Sequence, residues 1–253
     1  AGHQQSAQVT QLADGDVIVV WEEQGGSDGS SIGVFAQRVD ANGNLVSFDG
    51  NVAGADERQI NTTTAGSQDS PDVAALEPNA LLPSGGFVVV WESPDSSGDG
   101  IFGQIFDING VAQGAELQVN SATLSTQSDP IVVGTPGGGF VVAWADASGV
   151  DGSGTGVTAQ KFTAGGVPDG NSFVVNEEVS STQNQPDLAV LNNGTLAAVW
   201  ASNTSATAGD GSGVGVFQAL FDQPAPVAGA MSPALVGVEE TVTFDENAVN
   251  AAP

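Results

Sequence analysis

The chain has 253 residues, with 30 Asp and Glu against 3 Lys and Arg, a formal charge of −27. Such a polyanion lacks the counterion release that drives nucleic-acid binding, and an anionic bilayer repels it, so neither is expected as a partner. No apolar run approaches the roughly 20 residues of a membrane helix, and with no Cys there are no disulfides, thiolate metal sites or cysteine nucleophiles. Hydrophobic residues at 40%, with 11 Phe and 4 Trp, suffice for a packed core. The opening AGHQQSAQ has no initiator Met or leader features and reads as an internal or processed end.

Taken in chain order, the predicted elements form a unit that recurs. Copy one opens on Gln4 to Ala7, runs through DVIVVW ending at Trp21, then a Gly/Ser/Asp loop, VFAQRVD at 34–40, the turn DANG, and RQIN at 58–61. Copy two has Gln68 and Pro71, GFVVVW ending at Trp91, IFGQIFD at 101–107, DING, and LQVN at 117–120. Copy three has Gln127 and Pro130, GFVVAW ending at Trp144, VTAQKFT at 157–163, TAGG, and FVVN at 173–176. Copy four has Gln183 and Pro186, TLAAVW ending at Trp200, and VFQALFD at 216–222, after which no fourth strand follows. The tail is a Pro/Ala linker, QPAPVAGAMSP, and one more strand candidate at Glu240, Thr241, Val242, Thr243 and Phe244.

Short apolar runs joined by turn residues, with no 3.6-residue period, predict an all-β chain. Four strands per unit in four units predict a β-propeller-like fold; a stacked β-sandwich or a β-solenoid gives similar periodicity. The Trp-terminated runs are continuously apolar, as for an inner strand covered on both faces. The domain reading is a four-repeat unit over 1–222, with copies at roughly 1–61, 62–120, 121–176 and 177–222, then a linker and terminal strand over 223–253. That strand is long-tethered and copy four lacks an edge, so it is expected to fill the vacancy in its own ring or in another molecule's, giving a filament in the second case.

The units GGFVVVWES, SGDGIFGQIFDINGVAQGAELQVN and STQSDPIVV resemble the tandem repeat of large secreted bacterial proteins of the RTX-adhesin-like, hemolysin-type calcium-binding kind. The likeness covers 4–222, and TFDENAVNAAP at 243–253 is similar to junctions leading into cadherin-like modules of such proteins. The resemblance implies export, an extracellular or cell-surface location and calcium. The nine-residue calcium repeat of that family is absent, so a calcium site rests on other residues.

Those residues lie in the loop before the third strand of each copy, which follows D-x-S-x-x-G-[VI]: Asp28, Asp95, Asp151 and Asp210 open it. In copy two, Asp95, Ser97, Asp99 and the main chain of Ile101 fall at calcium-loop positions, with Glu92 as an extra ligand. The same Asp and Ser residues equally serve a plain turn by bonding their own backbone. Gln37, Gln104 and Gln160 recur on the third strand and are expected to bond a neighbouring blade's backbone; Asn61, Asn120 and Asn176 are expected to cap turns, and the four Trp to pack. His3 is the lone histidine, at a chain end, and no Ser-His-Asp triad forms around it. Two Arg cannot bind a substrate carboxylate as a sialidase does. The expected function is a non-enzymatic, calcium-stabilised structural module that self-associates or packs on neighbouring modules of a larger chain. The alternatives are a glycan-binding propeller and, behind it, a glycoside hydrolase with a carboxylate pair.

Overall fold

A computed structural model describes residues 2–25, 29, 31–48, 57–177, 179, 181–203, 214–221 and 240–241. Among them every regular element is a β-strand, in four antiparallel sheets. The first holds β1 (His3–Gln11), β2 (Val17–Gln24), β3 (Ile32–Val39), β4 (Leu45–Val46) and β5 (Arg58–Gln59), the last two both pairing with β3. The second is β6 (Asp69–Leu76), β7 (Gly86–Pro94), β8 (Asp99–Asp107) and β9 (Leu117–Gln118), and the third β10 (Gln127–Gly134), β11 (Phe140–Asp146), β12 (Gly156–Phe162) and β13 (Phe173–Val174). The fourth is β14 (Gln183–Val190), β15 (Leu196–Ser202), β16 (Gly215–Phe221) and β17 (Glu240–Thr241). These are the blades of a β-propeller-like fold, as the repeat predicts.

Alternation along the strands builds the core, because each blade buries one face on its predecessor and the other on its successor. Ile18, Val20 and Val34 of blade 1 pack with Phe87, Val89 and Trp91 of blade 2. Val88, Val90 and Ile101 of blade 2 pack with Phe140, Val142 and Trp144 of blade 3, and Val141, Ala143 and Val157 of blade 3 with Ala198 and Trp200 of blade 4. Trp91, Trp144 and Trp200 are among the largest fully buried side chains, so the Trp residues are core.

The innermost strands are β1, β6, β10 and β14, packed side by side; the Trp strands lie second from the axis, one place further out than their apolar sequence suggests. Inner strands carry the Gln-x-x-Pro segment because each has a bulge there. The ladder shifts register after Gln5, Asp69, Ser128 and Asn184, at the places where Pro71, Pro130 and Pro186 would have had no N–H to give.

A buried amide relay joins consecutive blades. Asn61 Oδ1 accepts the Val34 N–H at 2.9 Å and its Nδ2 donates to Gln68 Oε1 at 3.0 Å. Asn120 joins Ile101 to Gln127 at 2.9 and 2.8 Å, and Asn176 joins Val157 to Gln183 at 2.7 and 3.3 Å. These Asn residues therefore do more than cap turns. Each ties the third strand of one blade to the first strand of the next. Gln37, Gln104 and Gln160 bond backbone carbonyls within their own blade, at Val46, Gln113 and Gly170, and not a neighbour's as expected.

Glu240–Thr241 pairs with β16 of its own chain, Thr241 opposite Phe217, in the register that β5, β9 and β13 use in the earlier blades. Within the single chain the vacant edge is filled in cis, the first of the two placements expected for it. Val242, Thr243 and Phe244 lie outside the described residues. His3 stands in β1 opposite Gln24.

Candidate functional site at the propeller axis

The four inner-strand bulges converge on the axis. Ser6, Ser70, Asp129 and Gln185 occupy one repeat position and all hold a left-handed backbone, at φ 54°, 49°, 53° and 51°. Non-glycine residues there are held by their surroundings at roughly 1–3 kcal/mol each, a pattern that concentrates at functional sites. Together with Gln8, Ile131 and the three prolines they line a cavity of about 330 Å³.

Carboxylates crowd the same end of the axis. Asp69 and Glu92 are directly opposed across β6 and β7, which places both side chains on one face, and Gln5 and Glu22 are the matching pair in blade 1. Glu22 accepts the N–H of Ser70 at 3.0 Å, and Glu92 accepts the N–H of Asp129 at 2.8 Å. Each of these acids thus holds the bulge of the following blade. Blade 3 has Ala145 at this position and blade 4 has Ala201, so the acids sit on one side of the ring. Asp129 is the carboxylate that lines the cavity.

Burial without a counter-charge shifts these acids upward. Glu92 is pushed up to about 7, by burial first; the negative charges of Asp69 and Asp129 add to it, while hydrogen bonds from the Asp129 N–H and from Ser70 oppose it. Asp69 is pushed up to about 6 by burial, then by Glu22 and Asp99. Further along the axis Asp72, whose Oδ2 accepts the Val132 N–H at 2.7 Å, is likewise raised to about 6, chiefly by burial.

All three bases are engaged elsewhere. Arg38 is 5% exposed and pairs with Asp14 at 2.6 Å and Asp16 at 2.7 Å, in the turn beyond the far end of β1. It also donates to the carbonyls of Phe48 and Ile108. Arg58 donates to the Gly110 carbonyl and lies 5.5 Å from the Phe48 and Phe106 rings, and Lys161 pairs with Asp169 at 3.2 Å. The axial acids therefore have no fixed cation beside them.

The loop residues singled out from sequence make turns. Asp95 Oδ1 accepts the Ser97 N–H at 2.8 Å and Asp151 Oδ1 accepts the Ser153 N–H at 3.0 Å; Asp151 Oδ2 binds Asn176. The Ile101 carbonyl, a ligand in the calcium-loop reading, accepts the Val119 N–H at 2.8 Å. Asp99 lies close enough to Asp69 to raise it. Asp28 and Asp210 fall outside the described residues. Among the described residues no three His, Cys, Asp or Glu side chains gather in a metal-holding arrangement. The residues sequence reasoning missed are Glu22, Asp69 and Asp129. Their signal was an acid at a variable position inside an otherwise constant repeat.

No protein-family model and no curated protein matches the chain. Solved structures do share its fold. One is the α-L-arabinofuranosidase of Fusarium graminearum bound to an iminosugar inhibitor, at a TM-score of 0.63 and 14% identity over 94% of this chain and 66% of that one. Another is a thermostable family-43 glycoside hydrolase, at 0.52 and 10% over 97% and 73%. A third is the α-L-arabinofuranosidase of Lactobacillus brevis, at 0.50 and 9% over 91% and 73%. The chain spans about two thirds of the length of the Fusarium enzyme, and at these identities the likeness establishes the propeller-type fold. The expectation of a non-enzymatic, polymerising module is corrected on this finding: these three solved structures are glycoside hydrolases built on the same type of fold.

Proposed function

We propose that this propeller serves glycoside hydrolysis, with the axial cavity as the site and a neutral glycan, arabinan-type first, as the substrate. The observation that carries the reading is the opposed Asp69–Glu92 pair beside a cavity lined by Asp129, with Glu92 raised to about 7 and Asp69 to about 6. Glycosidic cleavage needs one carboxyl that holds a proton at working pH and another that stays charged. We assign the first role to Glu92, which stands behind the cavity wall on the Asp129 N–H: raised to about 7, it is the acid that would give its proton to the departing glycosidic oxygen once substrate reaches it. Asp129, in the cavity wall, faces the positive charge that develops on the sugar ring, and a water that adds to the charged carbon, yielding a proton to Asp129, completes the hydrolysis. Burial favours the protonated form of Glu92, and the negative charge of Asp69 adds to it.

The missing counter-charge narrows the substrate. A uronic or sialic acid would set its carboxylate among acids with no base to receive it, whereas a neutral sugar meets no such repulsion. The extracellular setting implied by the repeat resemblance suits a polymer-cleaving role. The test is release of reducing sugar from arabinan and of nitrophenol from 4-nitrophenyl α-L-arabinofuranoside, with a panel of other neutral pentosides and hexosides. Glu92→Gln and Asp129→Asn should each lower kcat by about 10²- to 10⁴-fold, the usual worth of such groups. Turnover that both variants retain, or none from any neutral glycoside, would refute the assignment.

A further inference from the structure

Consecutive blades meet at their outer strands as well as at the axis, and the seams between blades 1 and 2 and between blades 2 and 3 are built at equivalent positions. Counting from the relay residues Asn61, Asn120 and Asn176, Thr62 and Thr63 of blade 1 correspond to Ser121 and Ala122 of blade 2. By the same count Glu116 of blade 2 corresponds to Ser172 of blade 3. The local backbone is alike at both places: Asn61 Nδ2 donates to the Thr63 carbonyl at 3.0 Å and Asn120 Nδ2 to the Ala122 carbonyl at 2.8 Å. Between blades 1 and 2 the seam is closed by Glu116, whose carboxylate accepts the N–H of Thr62, the N–H of Thr63 at 3.2 Å and the Thr63 hydroxyl at 2.8 Å. Between blades 2 and 3 the counterpart is Ser172, too short to span the same gap, and there the seam opens into a cleft of about 410 Å³. That volume is in the ~300–1,000 Å³ range of small-ligand pockets.

The cleft walls carry no charged side chain and are rich in hydrogen-bonding groups. Blade 2 contributes Gln118 and Ser121, and blade 3 contributes Gln160, Asn171 and Ser172, with the ring of Pro168 as an apolar surface. Gln160 is 4% exposed and donates its Nε2 to the carbonyls of Lys161 at 2.7 Å and Gly170 at 3.3 Å, which leaves its oxygen as an acceptor. Two residues along the same face of β12, Thr158 is 3% exposed with its hydroxyl unpartnered, where blades 1, 2 and 4 carry Phe35, Phe102 and Phe217. The charged groups beside the wall are Asp95, which the Gln118 amide approaches at 3.4 Å, and Asp169, paired with Lys161 at 3.2 Å. A carboxylate or phosphate ligand would face Asp95 with Lys161 already engaged, and a metal ion would find no carboxylate in the wall. A neutral molecule dense in hydroxyl groups meets amides and hydroxyls from both blades. We infer that the seam between blades 2 and 3 is a binding site for a neutral sugar unit of a glycan, distinct from the axial cavity, with which it shares no lining residue. The sugar oxygens take the kind of donors that the Glu116 carboxylate takes at the seam before.

The repeat supplies its own plug. Ser172→Glu introduces at the open seam the side chain that closes the seam before it, and Glu116→Ser removes that side chain from the closed one. The nitrogen-15-labelled chain would be titrated with neutral trisaccharides, arabinotriose, xylotriose and mannotriose in turn, and followed by its backbone amide shifts. Expected with at least one of them is a saturable shift at Ser121, Gly170 and Asn171, and an affinity at least about tenfold weaker in Ser172→Glu. Glu116→Ser should gain a new saturable shift at Thr62 and Thr63, and glucuronate should shift none of these amides. The inference is overturned if no neutral trisaccharide shifts the seam amides, if Ser172→Glu binds as the parent does, or if glucuronate binds as well as the neutral sugars. Should Ser172→Glu fail to fold, seen as a collapsed amide spectrum, the presence or absence of the new response in Glu116→Ser decides. Shifts at Ser70 and Asp129 report the axial cavity separately, so seam shifts without turnover would refute the hydrolase proposal and support this one.

Discussion

Replacing Glu92 by Gln separates what this residue does for stability from what it does for chemistry. In the folded chain its carboxyl is raised from 4.5 to about 7, chiefly by burial, so folding favours the protonated form. Below pH 4.5 the group is neutral both folded and unfolded and contributes no pH dependence. As pH rises from 4.5 to about 7 the unfolded chain releases the proton first, and stability falls until the folded group ionises too. At 1.36 kcal/mol per pH unit, less a reduction for partial solvent contact, the loss is about 2 to 3 kcal/mol. Gln has the shape of the protonated acid and keeps an oxygen for the Asp129 N–H. Glu92→Gln should therefore match the parent at pH 4 and exceed it by about 2 to 3 kcal/mol at pH 8. Urea unfolding followed by Trp fluorescence at both pH values measures this difference. A gap that is the same at both, or a variant weaker at pH 8, would refute the claim that burial of this charge is what raises it. Asp72, raised to about 6, adds pH dependence of the same sign in both proteins and cancels in the comparison, whereas Asp69, whose charge opposes that of Glu92, is relieved by the substitution and adds to the gain at pH 8.

Two other substitutions test the scaffold. Asn120→Ala removes the acceptor of the buried Ile101 N–H and the donor to Gln127, two groups at roughly 1–3 kcal/mol each, so a loss of about 2–4 kcal/mol is expected in urea unfolding; under about 1 kcal/mol would show that the relay is incidental. Arg38→Met strands the Phe48 and Ile108 carbonyls and breaks the pairs with Asp14 and Asp16, for a loss of about 3 kcal/mol or more, with Arg38→Lys recovering less than half because one ammonium cannot reproduce the fork. Full recovery by Lys would reduce Arg38 to a point charge.

The blades were legible because burial writes a period into sequence. A Trp must close each second strand to fill the wedge against the preceding blade, and Gln must stand at 68, 127 and 183 to meet the Asn of the blade before. Which strand faces the axis was misjudged, since a strand second from the axis is as apolar as an inner one. The site was not legible by the same means. Asp95 and Asp151 recur at one loop position, where each accepts the N–H of the residue two further on. Asp69 and Asp129 do not recur, and only the arc of the ring brings them near one another, Asp129 in the cavity wall and Asp69 opposite the Glu92 that holds the Asp129 N–H.

That contrast locates function in this kind of scaffold. The Gln-x-x-Pro frame, Gln-x-x-Ala in blade 1, fixes a strained bulge in each blade, so the second x residue is delivered to the axial cavity whatever it is: Ser6, Ser70, Asp129 and Gln185. The frame is under the same packing demand in every blade and stays constant, whereas the second x position answers only to the cavity and diverges. Acid at Glu22 and Glu92 follows the same logic, because each secures the bulge of the next blade while Ala145 and Ala201 do without. Four of the 30 acids behind the −27 charge, Glu22, Asp69, Glu92 and Asp129, stand at a base-free axial end, where burial is the first cause that raises Glu92 to about 7 and Asp69 to about 6. On the hydrolase proposal, a repeat of this design would alter its cavity by changing one residue per blade, while the scaffold bears the strain of the bulge in every version.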